Sequence, residues 1–278
     1  MVRIVPLVIL LSSPCIGAEQ VAFKPSLYPF RNGVKFESID AGVTAVKELG
    51  FTGISSIYPR DAAAFKEACD REDLEFISAY CSSKVHADSH EYGPEVVETI
   101  KLLKDTDALI ELNVQRGKNP NDEQAVKLVR KIADLAAESD LKVVLYPHDG
   151  FHISRFDHAV QIARASKRDN VGVIFNLCHF LKERPRADLE ASIAGAKGVL
   201  WAASTCGADT EGNNWKTLIQ PLDQGSFDQV NFLRLLRDGG FNGPVGLQCY
   251  NVSLPANENL SRAHQAWKGF LDELKSTP

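Results

Sequence analysis

Two histidines, His148 and His179, are the side chains of this sequence best suited to moving a proton at neutral pH, because an imidazole has an ordinary pKa of ~6.5. Each closes an apolar run, KVVLYPH in one case and VGVIFNLCH in the other. Glu111, inside LIEL, offers a carboxylate in reserve. Uncharged polar residues accompany them: Tyr146 and Asn176 just before the two histidines, and Gln248 at the end of a later apolar run, with Tyr250 just beyond it. Amides and phenols can both donate and accept, which suits a molecule rich in hydroxyls, and Trp215, Tyr28, Phe30 or Tyr250 could cover a sugar face. The chemistry implied is removal of a proton beside a carbonyl, with His148 and His179 as base and acid. Asn176, Gln248 and the Tyr146 phenol would hold hydroxyls and the enolate oxygen.

The other ionisable residues point elsewhere. His86, His90, His152 and His158 fall in loops or on helix faces, where solvation or packing is the expected role. Lys84, Arg31 and Arg116 follow strands and could meet an anionic substituent of a ligand, although a solvated surface charge is the plainer reading.

Residues this far apart need a fold that gathers many segments at one end. Short β-branched or apolar runs at 26–30, 53–57, 75–81, 108–114, 142–146, 171–175, 199–205 and 244–249 read as eight strands. Helical patterns separate them, at 39–49, 62–70, 95–104, 122–138, 156–166 and 229–237, with a last helix near 260–274. Gly50 and the Gly239-Gly240 pair read as left-handed helix stops before the next strand. Strict β-then-α alternation without a linker predicts one parallel domain, and eight units in the 260 residues after position 18 match a single (β/α)8 TIM barrel. A doubly wound open sheet would need a glycine-rich phosphate turn after its first strand, and YPFRNG at 28–33 is not one. In a barrel the chemistry sits at the carboxyl ends of the strands. Alternation places Glu111, Asn113 and Gln115 on one face, and lets Tyr146, His148, Asn176, Cys206, Gln248 and Tyr250 point into the mouth.

Composition bounds the setting. Of 278 residues 44% are hydrophobic and 24% charged, ordinary for a globular chain. Arg3 precedes an apolar run at 4–11 and small residues lead to Ala18, a secretory signal pattern with cleavage expected after residue 18. The mature protein, 19–278, is expected to be exported to the periplasm or the medium. That apolar run is too short to span a bilayer, and no later segment approaches the required length. The net charge of −5, which becomes −6 when Arg3 is removed, gives no support to a nucleic-acid partner. Five cysteines remain after cleavage, Cys69, Cys81, Cys178, Cys206 and Cys249. Their odd number and irregular spacing give no disulfide framework and no CxxC zinc motif, leaving room for one bridge at most in an oxidising compartment.

The stretches TGISSIYP, KVVLYPHDGFH, NVGVIFNLCHF, TCGAD and GPVGLQCY together resemble the xylose isomerase-like TIM barrels, from about residue 26 to about residue 271. That superfamily includes sugar isomerases, sugar-phosphate epimerases and an apurinic endonuclease type. The forms YPHDG, FNLCH and GLQCY resemble an exported bacterial branch of the isomerase/epimerase type. The resemblance implies a metal site made of Glu on a middle strand, Asp followed three residues later by His on the next, a His shortly before an Asp, and Glu on the last strand. At the matching positions this chain has Tyr146, Asn176 with His179, Cys206 before Asp209, and Gln248. Hard divalent ions prefer carboxylate oxygens, and a phenol ligand must first lose a proton with a pKa of ~10. The metal site is therefore expected to be degenerate, with no cofactor; a metal held through a non-standard set would be Mn or Zn. His148, His179 and Cys206 could together take a soft transition metal.

Two functions follow. One is an exported isomerase, epimerase or lyase acting on a sugar or keto-sugar at the barrel mouth, with a segment at 207–227 containing Trp215 as a binding loop beside it. The alternative is a non-catalytic carbohydrate-binding barrel. In both the partner is a small carbohydrate. An endonuclease is disfavoured by the acidic charge, the export signal and the missing ligands.

Overall fold

The computed structural model describes residues 23–183 and 189–276. The expected signal segment lies outside the described residues. In chain order the strands are β1 (Leu27–Pro29), β2 (Gly53–Ile54), β3 (Glu75–Phe76), β4 (Ser78–Val85), β5 (His90–Tyr92), β6 (Leu109–Arg116), β7 (Lys142–Leu145), β8 (Val171–Asn176), β9 (Leu200–Thr205) and β10 (Val245–Leu247). Around them run α1 (Ile39–Glu48), α2 (Ala62–Glu72), α3 (Pro94–Leu102), α4 (Asp122–Ala137), α5 (Phe156–Ser166), α6 (Leu177–Glu183), α7 (Leu189–Gly195), α8 (Trp215–Leu218), α9 (Gln229–Asp238) and α10 (Ala256–Ser276).

The strands run in the order β1-β10-β9-β8-β7-β6-β4 with parallel neighbours throughout. Parallel bridges from Phe30 to Ser55 and from Ile57 to Ala79 join the β2 segment to β1 on one side and to β4 on the other, which closes the barrel. With β3 and β4 counted as one strand interrupted at Ile77, the barrel has the eight expected strands. β4 runs further than the sequence suggests and folds back against β5 as an antiparallel hairpin.

Alternation along the strands sorts the core into two. Val143, Leu145, Ile110, Leu112, Val173 and Phe175 join the shell between sheet and helices. Phe30, Leu109, Val144, Tyr146, Ile174 and Ala202 fill the barrel itself. The helices are amphipathic for the same reason: α4 buries Ala125, Leu128, Val129, Ile132, Ala133 and Ala136 at helical spacing, and Asn121 caps it by accepting from the Gln124 amide at 3.0 Å. Gly50 (φ +83°) and Gly240 (φ +77°) adopt the left-handed conformation expected of helix stops. Gly246 allows the barrel to fill, since a Cβ there would come within 1.9 Å of the Phe30 ring.

Candidate functional site

Register fixes the height of each polar residue in the barrel. Val144 pairs with Glu111, so Tyr146 stands two residues nearer the carboxyl end than Glu111 does. Asn176, the last residue of β8, pairs with Ser204, and Gln248 directly follows β10. Tyr146 is 1% exposed; its ring meets Tyr80 edge-on at 5.0 Å and lies 6.4 Å from Phe30. Burial pushes its phenol well above the ordinary value, and neighbouring Tyr80 adds to the effect. Asn176 Oδ1 accepts from Ser204 Oγ at 3.2 Å and from Cys178 Sγ at 3.4 Å, while its buried Nδ2 has no partner. Gln248 Oε1 accepts from the Tyr250 amide at 2.9 Å, and Tyr250 itself is exposed at the rim.

The two histidines meet above this layer, with ring centroids 4.2 Å apart. Asp149 stands between them and acts through its backbone. Its carbonyl lies 2.8 Å from His148 Nδ1, and a carbonyl only accepts, so that nitrogen carries the hydrogen. Its amide donates to His179 Nδ1 at 3.0 Å, so that nitrogen carries the lone pair. In the neutral forms His148 therefore presents a lone pair at Nε2, and His179 presents an N–H there. Burial lowers the pKa of both, far more for His179, where His148 adds to the effect. Phe151 stacks on His148 at 4.1 Å. Trp215, 37% exposed, sits edge-on to His179 at 5.2 Å, with Lys182 Nζ 5.7 Å from its ring. The 207–227 segment brings Trp215 there on α8, whose first turn Asn214 and Thr217 close with a reciprocal capping box.

Glu111 lies deeper, away from the histidines. Ser78 Oγ donates to its Oε1 at 2.8 Å, and its Oε2 is buried without a partner. Burial pushes the carboxyl up to about 7, with Ser78 and then Ser56 pulling the other way. The Ser56 hydroxyl makes no well-formed hydrogen bond, which leaves Ser78 as the side chain that holds Glu111. Ser56 is held at φ +56°, a conformation rarely adopted by a residue with a Cβ.

Tyr146, Asn176, Cys206 and Gln248 do not fit a hard divalent ion. Two are neutral amides whose oxygens are already engaged. The Tyr146 phenol is pushed up by burial, and the Cys206 thiol, which donates to Leu218 O at 3.2 Å, is pushed well up by its contact with Cys178 and by burial. All five described cysteines are buried and free.

Tyr28, expected at the mouth, lies at the other end of the barrel. It shares the inner face with Phe30 but stands two residues nearer the strand's amino end, and its hydroxyl donates to Glu75 Oε2 at 3.3 Å. There it lines a cavity of about 900 Å³ between the amino ends of the strands, together with Lys142, Lys197 and Trp201. The carboxylates of that cavity, Asp70, Glu75 and Asp107, are all exposed, and no histidine lines it. The groups able to transfer protons are at the opposite end, where we place the site. Each cation weighed for an anionic substituent has a partner in the protein: Lys84 Nζ pairs with Glu91 at 3.3 Å, Arg31 lies 5.4 Å from the Phe65 ring, and Arg116 Nε donates to Phe151 O at 2.9 Å. His152 and His158, read as solvated or packing residues, converge on Asp122 at the outer rim. Their wide separation from Asp122 in sequence carries no motif that could have found them.

A family model described as "Xylose isomerase-like TIM barrel" matches residues 43–270. Among curated proteins no sequence matches. Solved structures do. One is a xylose isomerase-like TIM barrel/4-hydroxyphenylpyruvate dioxygenase fusion protein, with a TM-score of 0.74 and 15% identity over 91% of this chain; the match spans 43% of that longer chain. Another is the IOLI protein with a binding zinc atom, with a TM-score of 0.71 and 14% identity over 90% of this chain and 99% of that one. A third is the apo form of 3-keto-D-glucoside 4-epimerase, YcjR, from E. coli, with a TM-score of 0.68 and 16% identity over 91% of this chain and all of the other. At such identities these likenesses speak for the fold alone.

Proposed function

Because the chain belongs to the xylose isomerase-like TIM barrel family, we propose that it is a carbohydrate-active isomerase, epimerase or lyase. Its substrate is a sugar or keto-sugar held at the carboxyl end of the barrel, without a divalent ion at Tyr146, Asn176, Cys206 and Gln248. One observation carries the reading: a single residue, Asp149, sets the two adjacent histidines in opposite tautomers. His148 Nε2 is then free to take a proton from the carbon beside a carbonyl. His179 Nε2–H donates to the carbonyl oxygen as it becomes an enolate. A neutral imidazole suits that second role, because it polarises the oxygen without the cost of burying a charge. Trp215 covers a sugar face, and Asn176 Nδ2, buried without a partner, is the donor left over for a hydroxyl or for the phenol oxygen of Tyr146. Glu111 is the reserve carboxyl, with a pKa raised to about 7. A neighbour in fold named for a 3-keto-D-glucoside points to keto-sugars as the first class to try.

A second reading, a carbohydrate-binding barrel without turnover, is favoured by the strand-tip set Tyr146, Asn176, Cys206 and Gln248, which includes no carboxylate. Incubation of the protein with keto-sugars in D2O separates the two. Deuterium uptake at the carbon beside the carbonyl, abolished in His148→Ala, supports the enzyme; saturable binding with no exchange supports the binder. We also propose that the protein works after export, on the strength of Arg3, the apolar run at 4–11 and Ala18. Amino-terminal sequencing of the expressed protein tests this: a start near Glu19 is expected, and a retained Met1 on cytoplasmic protein removes the claim.

A further inference from the structure

We propose that Asp122, His152 and His158 form a binding site for a divalent transition metal, zinc above all, at the outer rim of the barrel's carboxyl face. The site is separate from the strand tips and does not depend on the reading given for them. Asp122 is the first residue of α4, His152 lies in the loop after β7, and His158 is in the first turn of α5. His152 Nε2 and His158 Nε2 lie 3.0 Å and 2.9 Å from the same oxygen, Asp122 Oδ1, and all three ligand atoms lie within 4.8 Å of one another. Zinc bonds of about 2.0–2.1 Å at tetrahedral angles separate neighbouring ligand atoms by roughly 3.3 Å, so small side-chain movements suffice to admit an ion.

The charges and donor types choose the ion. One carboxylate and two neutral imidazoles supply a single negative charge. Arg116, anchored on Phe151 O, is near enough to His152 to oppose a cation. Mg²⁺, Ca²⁺ and Mn²⁺ rely on several anionic oxygens and gain little here, whereas ions that bond strongly to imidazole, such as Zn²⁺, do not need that charge. The imidazole side chains are 10% and 18% exposed, and that of Asp122 is 61% exposed, so the carboxylate side leaves a fourth position to water. Without the ion each Nε2 donates its hydrogen to the Asp122 carboxylate, which only accepts; in binding, each neutral imidazole shifts that proton through solvent to Nδ1, and the freed lone pair of Nε2 bonds to the ion.

The ion would also join two loops. The stretch carrying His152 carries His148 too, and the His148 amide donates to Ile153 O at 3.1 Å. A metal at the rim would pin that stretch to the start of α4 and steady the segment from which Asp149 reaches both histidines.

The test uses full-length, tag-free protein treated with EDTA, dialysed, and titrated with ZnCl2 by calorimetry. One Zn²⁺ per chain is expected, with a rise in melting temperature that MgCl2 does not reproduce. His158→Gln and Asp122→Asn, at positions with little or partial burial, should each weaken Zn²⁺ binding at least tenfold while circular dichroism stays unchanged. His152→Gln should do the same, but its deeper position makes it the poorer control for folding. Unchanged affinity in His158→Gln and Asp122→Asn overturns the proposal, as does the absence of binding in the unmodified protein. Loss of binding in Cys206→Ser with retention in His158→Gln would place the ion at the strand tips and overturn it as well.

Discussion

The backbone amide of Asp149 donates a 3.0 Å hydrogen bond to Nδ1 of His179, tying the loop after β7 to the helix that follows β8. A side chain in that place could be replaced without altering the chain; a backbone donor is lost only if the loop moves. The tautomer of His179 is thus written into the path of the main chain.

Nitrogen-15 spectra of the histidine rings should show this directly. At about pH 6, where an ordinary histidine is largely charged, His179 should remain neutral with its proton on Nε2, because burial and the neighbouring His148 hold its pKa well down. A spectrum with Nδ1 protonated at neutral pH would break the arrangement on which the proposed acid and base depend.

Glu111 makes a prediction about stability. Its folded pKa of about 7 lies above the ordinary 4.5, so between those values the folded state keeps a proton that the unfolded state has lost. Stability is therefore fully present below about pH 4.5 and falls as pH rises through 7, by up to about 3 kcal/mol from this group. Glu111→Gln keeps an acceptor for Ser78 and cannot ionise. Urea denaturation at about pH 8 should find it more stable than the parent, with the difference vanishing near pH 4.5; a variant less stable at both pH values would show that the carboxyl is not strained.

The strand-tip set can be tested by rebuilding it. Mn²⁺ added to the parent should leave the melting temperature unchanged in the presence of a blocked rim site, for which His158→Gln serves as background. The combined change Tyr146→Glu, Asn176→Asp, Cys206→His and Gln248→Glu supplies three carboxylates and an imidazole, and should make melting depend on Mn²⁺. At 100 times the dissociation constant the gain is ~2.7 kcal/mol, readily seen as a thermal shift. Stoichiometric Mn²⁺ bound by Tyr146, Asn176, Cys206 and Gln248 as they stand would refute the reading.

Gly246→Ala tests the packed interior. The added Cβ meets the Phe30 ring at 1.9 Å, and Phe30 is itself confined by Tyr146 and the inner cluster. A loss of about 1–3 kcal/mol is expected from overpacking. Wild-type stability in this variant would mean that the barrel centre is looser than described.

The sequence reveals the eight strands because burial on both faces leaves short continuous apolar runs, and the glycine stops because only φ > 0 explains them there. It does not reveal height. Alternation tells that Tyr28 and Phe30 share a face, but only the register of β1 on β10 shows Tyr28 hanging toward the amino end. α6 is hidden for a related reason: LCHFLKE follows β8 without a turn residue, so the apolar run hides the change from strand to helix. β5 escapes because its residues, His90 to Tyr92, are polar and partly exposed. Asp122 meets His152 and His158 only once β6 and β7 are paired, since Asp122 follows β6 and both histidines follow β7.

The filled barrel centre has a consequence for how ligands are measured. Phe30, Val144, Tyr146 and Ile174 are each at most 1% exposed, and beneath them a void of about 10 Å³ beside Glu111 and Ser78 has room for roughly one water. Nothing the size of a sugar passes from one end to the other. A compound lodged against Tyr28 and Lys142 and one resting on Trp215 therefore never compete for the same volume, so that a ligand found by binding alone has to be assigned to an end by competition before it says anything about the histidines.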